Sequence, residues 1–324
     1  MSDSDGVRLH HATGPHPEPH RDAGWRGIAV FCLIAYALAW LVALPLWLGD
    51  GLASPFFLPC SVAMMFTPTV ASVVVVRFME RRPVLATLGI KPAGSAARLL
   101  IWLLIAIVAV FAVVVLGLLS SAALGTYSFD LANMSAFRLL LEQQLEAVGS
   151  SADDLPMPIR VMWLLQFVNL AAASLMNTLP AAGEEIGWRG FLFPRLRDRL
   201  GATGAVLASG VIWGAWHAPL ILLGYNYPSN PRMGVLMMCV SCIGLGALLA
   251  WVSQRGASVW PAALGHGAFN AMMSGTIILF GDASVSVDTM SATLMGWGGW
   301  PVWLLLVVVL LATRAFRPYV RSGS

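Results

Sequence analysis

The sequence predicts an all-α fold, a polytopic integral membrane helix bundle of about eight transmembrane helices with both termini in the cytoplasm. Three observations support this prediction. The 324 residues are 58% hydrophobic and only 11% charged, whereas soluble domains carry about 25% charged residues. The hydrophobic residues form separate runs of about 20, the length that a helix needs to cross a bilayer. Lys and Arg are concentrated in alternate connecting segments, as the positive-inside rule expects.

The first hydrophobic run, residues 27–48, is longer than the apolar part of a signal peptide, so we expect a retained transmembrane helix. Seven further runs are expected to span the membrane: 56–78, 99–119, 160–180, 203–223, 233–252, 259–280 and 300–315.

The distribution of basic residues sets the expected orientation. With the N-terminus inside, 16 of the 19 Lys and Arg residues fall in inside segments, and the exceptions are Arg138, Arg160 and Arg232. An odd number of spans would break this alternation. We therefore expect an integral, multi-pass protein of a cell (plasma) membrane, with a prokaryotic host as the expected source.

The chain is expected to divide into four parts. They are a disordered, His- and Pro-rich cytoplasmic tail (1–26), three helices with an acidic outer loop (27–159), a core of four helices (160–280), and a final helix with a basic cytoplasmic tail (281–324). Within them, residues 137–148 favour an interfacial helix. Residues 191–200, with Arg195, Arg197 and Arg199, favour an amphipathic segment whose arginines meet anionic lipid.

Two adjacent carboxylates, Glu184 and Glu185, lie with Arg189 at the end of the fourth hydrophobic run. A charged side chain at mid-membrane costs about 3 kcal/mol on insertion scales, so such residues have partners and commonly mark function. Glu185 and Arg189 are at positions i and i+4, the favourable order for an ion pair on a helix. We therefore predict that Arg189 neutralises Glu185, which leaves Glu184 for chemistry.

Two histidines, His217 and His266, fall inside predicted spans, and Asn270 shares a helix face with His266. For either histidine alone, an interhelical hydrogen bond is an equally good explanation. Both histidines together with the glutamates favour a joint polar site. Two Gly-x-x-x-Gly pairs, 183/187 and 210/214, are predicted to bring the fourth and fifth helices together and so to place Glu184 near His217.

A polar stripe on the fourth run is predicted to face the bundle interior or a water-filled cavity. It comprises Gln166, Asn169, Asn177 and Glu184. A helix rises 1.5 Å per residue, so counting residues from the cytoplasmic end of each predicted span gives the depth of a side chain in the membrane. By this count His217 lies several ångströms deeper than Glu184, unless the fourth helix continues past Glu184. We therefore expect residues 183–190 to continue that helix inside a wet cavity that opens toward the cytoplasm.

The motifs Glu184-Glu185-x-x-x-Arg189, His217 and His266-x-x-x-Asn270 resemble, in order, those of the CPBP family. This is the Rce1-like (type II CAAX prenyl protease and bacteriocin-processing, or Abi) group of intramembrane endopeptidases. The resemblance covers about residues 160–280. One departure is visible, because Trp213 stands where the family's second motif usually has Phe.

The resemblance implies peptide-bond hydrolysis within the membrane. Glu184 and His217 would orient and deprotonate a water molecule, and His266 and Asn270 would donate hydrogen bonds to the oxyanion; Glu185, Arg189 and Trp213 would support them. We favour a mechanism that requires no metal. The alternative is Zn²⁺ held by Glu184, His217 and His266, since two His and one Glu can bind Zn²⁺ with an open position.

The expected partners are the lipid bilayer and a peptide or protein substrate, which a CAAX-type enzyme would take in prenylated form; no nucleic-acid partner is expected. Two other function classes are compatible with the same polar residues. One is a proton-coupled transporter, although no internal repeat supports it. The other is a non-catalytic membrane immunity or scaffold protein.

Overall fold

The computed structural model describes residues 23–151 and 157–316, which fold into α-helices and their connections. The predicted tails lie largely outside this part of the chain, because residues 1–22 and 317–324 are not among those described.

Six helical segments of the described chain are long and apolar enough to cross a membrane. They are Gly24–Leu48, Phe57–Met79, Ala96–Ala123, Ile159–Trp216, Pro231–Gly256 and Trp260–Phe280. These segments indicate an integral, multi-pass membrane protein. The count differs from the eight predicted spans because the predicted span 160–180 and most of the predicted span 203–223 fall within the single 58-residue segment Ile159–Trp216. The last predicted span is a shorter apolar segment, Trp297–Ala312.

The helices are numbered in chain order. They are α1 (Gly24–Leu48), α2 (Phe57–Met65), α3 (Thr67–Val74), α4 (Val84–Thr87), α5 (Ala96–Ala123), α6 (Ser135–Ala147), α7 (Ile159–Gly187), α8 (Phe193–Trp216), α9 (Ala218–Ile221), α10 (Pro231–Gly256), α11 (Trp260–Phe280) and α12 (Trp300–Ala312). Helix α6 corresponds to the interfacial helix predicted at 137–148.

The segment Ile159–Trp216 is not one straight helix. A π-helical turn, Trp188–Leu192, joins α7 to α8, and Gly201 in α8 has the non-helical angles φ 70° and ψ 178°. The indole nitrogen of Trp213 lies 2.7 Å from the carboxylate of Glu184, 29 residues earlier. A straight helix would separate these residues by about 44 Å. The chain therefore reverses at Gly201, where a residue with a Cβ would be strained.

Helices α7 and α11 pack antiparallel to each other. At one end the indole of Trp163 donates a hydrogen bond to the carbonyl of Leu279, at 2.8 Å. Toward the other end, a Cβ on Gly267 would lie 2.8 Å from the carbonyl oxygen of Ser174. The small residue at 267 therefore allows the two backbones to approach closely. This packing brings the last turns of α7 beside the first half of α11.

Both glycine pairs lie at close helix contacts, but not with each other as predicted. A Cβ on Gly183 would lie 2.9 Å from the carbonyl oxygen of Met65, so the first pair packs against α2 and α3. A Cβ on Gly210 would lie 2.5 Å from the Cα atom of Ile243, so the second pair packs against α10. The Gly-x-x-x-Gly spacing identified close packing correctly, but it contains no information about which helix is the partner.

The arginines of the segment 191–200 do not all face lipid. Arg195 is buried, and its guanidinium donates two hydrogen bonds to the carboxylate of Glu80, at 2.9 and 2.5 Å. It also lies over the ring of Phe191, 3.8 Å from the ring centre. The prediction of a lipid-facing arginine is therefore wrong for Arg195, which ties the start of α8 to the segment after α3.

We predict that Gly210→Ala destabilises the protein by about 1–3 kcal/mol, the usual cost of overpacking, because backbone atoms of α10 cannot move aside easily. Gly265→Ala is the matched control, since its Cβ would meet mainly the movable end of the Leu249 side chain, at 3.1 Å. Thermal unfolding of the purified variants in detergent measures the difference. Equal stability of the two variants would contradict the assigned α8–α10 contact.

Candidate active site

Glu184 lies near the end of α7 and is 2% exposed. Its Oε2 atom accepts a hydrogen bond from the indole of Trp213 at 2.7 Å and a longer one from the indole of Trp188 at 3.3 Å. Hydrogen bonds to an ionised carboxylate are among the stronger ones in proteins. Two indoles therefore hold one oxygen of Glu184, which leaves Oε1 as the oxygen without such a bond to either ring.

Glu185 is fully buried beside Glu184 and contacts two other side chains. The predicted ion pair is present, with Arg189 Nε 3.1 Å from Glu185 Oε2. The second contact is to His266, whose Nδ1 atom lies 2.9 Å from Glu185 Oε1. Glu185 therefore joins α7 to α11 as well as neutralising Arg189, a role that helical spacing alone did not indicate.

Trp213 packs between the side chains of Arg189 and His266. The guanidinium of Arg189 lies over its ring, 4.1 Å from the ring centre, and the ring of His266 meets it edge-on at 5.3 Å. The residue that departs from the family's usual Phe thus supplies a hydrogen-bond donor that Phe lacks. Its indole contacts Glu184 directly while its ring faces Arg189.

His217 follows the last residue of α8, and its Nδ1 atom lies 2.9 Å from the carbonyl oxygen of Trp213. Because a carbonyl oxygen only accepts, Nδ1 carries the proton in this bond. A neutral imidazole then has an unprotonated Nε2, which can accept a proton or a hydrogen bond.

The four residues proposed from the sequence as catalytic line one cavity of about 390 Å³. They are Glu184, His217, His266 and Asn270. Glu184 lines this cavity, whereas Glu185 is not among the described residues that line it. Of the polar stripe on α7, Asn177 and Glu184 line the cavity. Gln166 and Asn169 instead bond each other at 3.0 Å.

The rest of the cavity wall is neutral. The wall combines methionine, leucine and phenylalanine side chains with hydroxyl and amide groups. The apolar members include Met64, Met65, Met238, Leu245, Phe269 and Met273. Neither Lys nor Arg is among the described residues that line the cavity. The arrangement suits an uncharged chain segment with apolar side chains and backbone groups that need hydrogen-bond partners.

One end of the bundle, here called the open end, carries the loops 49–56, 224–230 and 281–296. These loops touch one another: Phe57 packs against Tyr225 with ring centres 5.4 Å apart, and the hydroxyl of Thr289 donates to the carbonyl of Asn226. Tyr225, Asn226 and Thr289 also line the cavity. The cavity therefore extends from Glu184 toward the open end.

The segments 80–95, 193–200 and 253–259 lie at the other end, here called the closed end. They too contact one another, as in the hydrogen bond from the guanidinium of Arg197 to Gln254. The predicted orientation would place this closed end in the cytoplasm, whereas the loops that line the cavity belong to the opposite end. The two expectations, an N-terminus inside and a cavity that opens toward the cytoplasm, therefore do not both fit this fold.

The alternative with Zn²⁺ does not fit these side-chain positions. Within residues 23–151 and 157–316, no group of three or more His, Cys, Asp or Glu side chains is arranged to hold a metal ion. Glu184, His217 and His266 share the cavity wall without forming such a group.

Comparison with known proteins points to the same part of the chain. Residues 163–272 match the sequence model of the family described as type II CAAX prenyl endopeptidase Rce1-like. These residues are similar to that family. A curated relative, CAAX prenyl protease 2 of Methanococcus maripaludis, is 31% identical over 81 residues. That match covers 24% of this chain and only 30% of the relative's length. The matched region, residues 163–272, contains α8, α10 and most of α7 and α11, and with them all four predicted catalytic residues.

Two contacts of the site were not predicted from the sequence. Trp188 follows Glu184 by four residues, the same spacing that revealed the Glu185–Arg189 pair, so this donor was detectable. The contact between His266 and Glu185 joins two helices, and the two residues are 81 positions apart in the sequence. A local sequence pattern cannot predict such a contact.

We predict that Trp213→Phe lowers kcat about 10-fold or more while leaving KM nearly unchanged, because a hydrogen bond to a charged group contributes about 1.5–3 kcal/mol. Trp216→Phe is the matched control, since its indole bonds Thr67 at 3.2 Å rather than Glu184. Steady-state kinetics of both purified variants on one peptide substrate measure the difference. Similar kcat values for the two variants would contradict the proposal that the hydrogen bond from Trp213 positions Glu184 for catalysis.

Proposed function

We propose that this protein is an intramembrane endopeptidase that hydrolyses a peptide bond with a water molecule activated by Glu184 and His217. The observation that carries the proposal is the shared cavity, whose wall includes the carboxylate of Glu184, the imidazoles of His217 and His266, and the amide of Asn270. The neutral cavity wall suits a peptide, and residues 163–272 match a family named for endopeptidases. Peptides or proteins are the proposed substrate class, with a prenylated C-terminus as one form.

In the proposed mechanism, Glu184 takes a proton from water as that water attacks the carbonyl carbon of the scissile bond. The Nε2 atom of His217 accepts a hydrogen bond from the same water and orients it. Glu184 then returns the proton to the leaving amine, which restores the starting carboxylate. The two indoles keep the carboxylate in one position throughout, so little reorganisation accompanies proton transfer.

The oxyanion needs hydrogen-bond donors, and the ring of His266 is the first proposed donor. Its Nδ1 atom faces Glu185, so Nε2 is the nitrogen left for the cavity. The amide of Asn270, one turn further along α11, is the second proposed donor.

We further propose that the chain crosses the membrane eight times with both termini cytoplasmic, α7 and α8 forming two antiparallel crossings and α12 the last. The reversal at Gly201 and the distribution of Lys and Arg support this topology. A prokaryotic plasma membrane is the proposed location.

We predict that Glu184→Gln lowers the cleavage rate by about 10²–10⁴-fold, the usual contribution of a general base. The substitution keeps the volume of the side chain and an oxygen that can accept from Trp213, so folding should persist. Cleavage of a peptide library by reconstituted protein, followed by mass spectrometry, measures the rate. Cleavage at the parent rate would overturn the proposal, and full complementation in cells by Glu184→Gln would favour a scaffold or immunity role.

We also predict that treatment with a chelator such as 1,10-phenanthroline leaves the cleavage rate of the purified protein within about two-fold of its starting value, because the proposed base is a carboxylate rather than a metal-bound hydroxide. A thermolysin-type zinc protease in the same buffer is the control and should lose activity. Loss of cleavage on chelation, with recovery when Zn²⁺ is added, would restore the Zn²⁺ alternative.

A further inference from the structure

The hydroxyl groups of the cavity wall differ in whether the protein itself uses their hydrogen bonds. The hydroxyl of Ser241 donates to the backbone carbonyl of Leu294 at 3.1 Å. The hydroxyl of Ser61 donates to the backbone carbonyl of Phe57 at 2.7 Å. A hydroxyl has a single proton to donate. These two groups therefore stabilise the wall and have no donor left for a substrate.

Tyr225 also lines the cavity, but its hydroxyl is not used in this way. Within residues 23–151 and 157–316, no hydrogen bond joins the Tyr225 hydroxyl to another group. The other tyrosines of the described chain each donate to a backbone carbonyl: Tyr36 to Ile212, Tyr127 to Ile277, and Tyr227 to Met295. Those three hydroxyls fasten segments of the bundle to one another, whereas the hydroxyl of Tyr225 does not.

The ring of Tyr225 is nevertheless fixed in place. It packs against the ring of Phe57, with ring centres 5.4 Å apart. Its backbone N–H donates to the carbonyl of Leu220 at 3.2 Å, and its own carbonyl accepts from the N–H of Tyr227 at 2.8 Å. Gly224, with φ 101°, lets the chain turn into this position. Because the ring is already ordered, little conformational freedom is lost when its hydroxyl binds a ligand.

The electrostatic surroundings keep this hydroxyl a hydrogen-bond donor. Tyr225 lies in the loop between α9 and α10, outside the membrane-spanning helices. Burial, and in second place the negative charge of Glu184, raise the pKa of Tyr225 above its ordinary value. The phenol therefore stays protonated at neutral pH. The influence of Glu184 also places the hydroxyl within electrostatic range of the proposed base.

We propose that Tyr225 is a substrate-binding residue whose hydroxyl donates a hydrogen bond to a backbone carbonyl of the peptide, next to the scissile bond. This inference rests on the proposed endopeptidase function. A peptide carbonyl matches the site because it accepts a hydrogen bond and carries no charge, as the neutral cavity wall requires. The bond forms when the substrate binds and persists in the transition state, so its loss raises KM more than it lowers kcat.

A second role for a tyrosine at this place is contact with lipid headgroups, as in the aromatic belts of membrane proteins. That role depends on the amphipathic ring, and it gives the hydroxyl no influence on the binding of a peptide. Measurements of peptide affinity without the hydroxyl therefore distinguish the two roles.

Tyr225→Phe removes the hydroxyl and keeps the ring that packs against Phe57. We expect KM for a peptide substrate to rise about 3–10-fold, the effect of losing one hydrogen bond between uncharged groups, with kcat within about two-fold. Tyr227→Phe is the matched control, because its hydroxyl bonds Met295 and Tyr227 does not line the cavity. It should lower thermal stability and leave KM unchanged. An unchanged KM in Tyr225→Phe would overturn the proposal.

Peptides in which one amide at a time is replaced by an alkene identify the carbonyl that Tyr225 binds, since the alkene has no carbonyl oxygen. With Tyr225 present, one replacement next to the scissile bond is expected to weaken binding about 3–10-fold. With Tyr225→Phe, the same replacement should cost nothing further, because both changes remove one interaction. Independent, additive losses at every position would overturn the proposal.

Binding is measured by fluorescence anisotropy of labelled peptides with Glu184→Gln protein, with and without Tyr225→Phe, so that the affinities do not depend on cleavage. Equal affinities for the two proteins, together with Glu184-dependent cleavage by the parent protein, would overturn this inference and leave the endopeptidase function standing. Absence of both cleavage and binding of peptides by the parent protein would overturn the endopeptidase function and this inference with it.

Discussion

The carboxylate of Glu185, enclosed between Arg189 and His266, is the contact on which the rest of the site depends. Removing one partner from a buried charged pair is strongly destabilising, because the other charge is left without compensation. This cluster therefore has to be complete for α7 and α11 to pack as they do. The same contact determines which nitrogen of His266 remains for the cavity, and Arg189 extends the cluster to Trp213 on α8. The ion pair of Glu185 with Arg189 therefore stabilises the fold and, through the contact of Glu185 with His266, also orients a residue of the proposed catalytic site.

Two adjacent glutamates have opposite surroundings because consecutive residues on a helix point about 100° apart. Glu185 points into the protein, where the guanidinium of Arg189 compensates its charge and the ring of His266 contacts it. Glu184 points at a cavity large enough for water and is compensated by two indole N–H groups. The π-helical turn that follows widens the helix just where these groups converge, and such turns are frequent at functional sites. The motif of Glu184, Glu185 and Arg189 therefore places two carboxylates next to each other inside an apolar protein, one in an ion pair and the other facing the cavity.

Local patterns predicted much of this molecule. Run lengths located the hydrophobic helices, i,i+4 spacing found the pair of Glu185 with Arg189, and the stripe on α7 included Asn177 and Glu184. The reversal at Gly201 agrees with the predicted bounds, which end one segment at residue 200 and begin the next span at residue 203. The failures concern features that local patterns do not contain. A glycine pair does not specify its partner helix, and the burial of Arg195 depends on Glu80, 115 residues away. The indole hydrogen bond of Trp213 was missed because the residue was treated as a substitute for Phe in packing alone.

The contrast between the two ends of the bundle also bears on function class. A transporter must expose its central site alternately to both faces. Here that would require the π-helical turn, whose Gly190 packs against the carbonyl oxygen of Leu88, to move away. It would also require the pair of Arg195 with Glu80 to separate, which would leave two charges uncompensated in the interior. A hydrolase needs only one opening, through which water and a peptide segment enter and products leave. A cavity with one mouth and one tightly packed end preserves the permeability barrier while it admits water to Glu184, and this construction favours a hydrolase over a transporter.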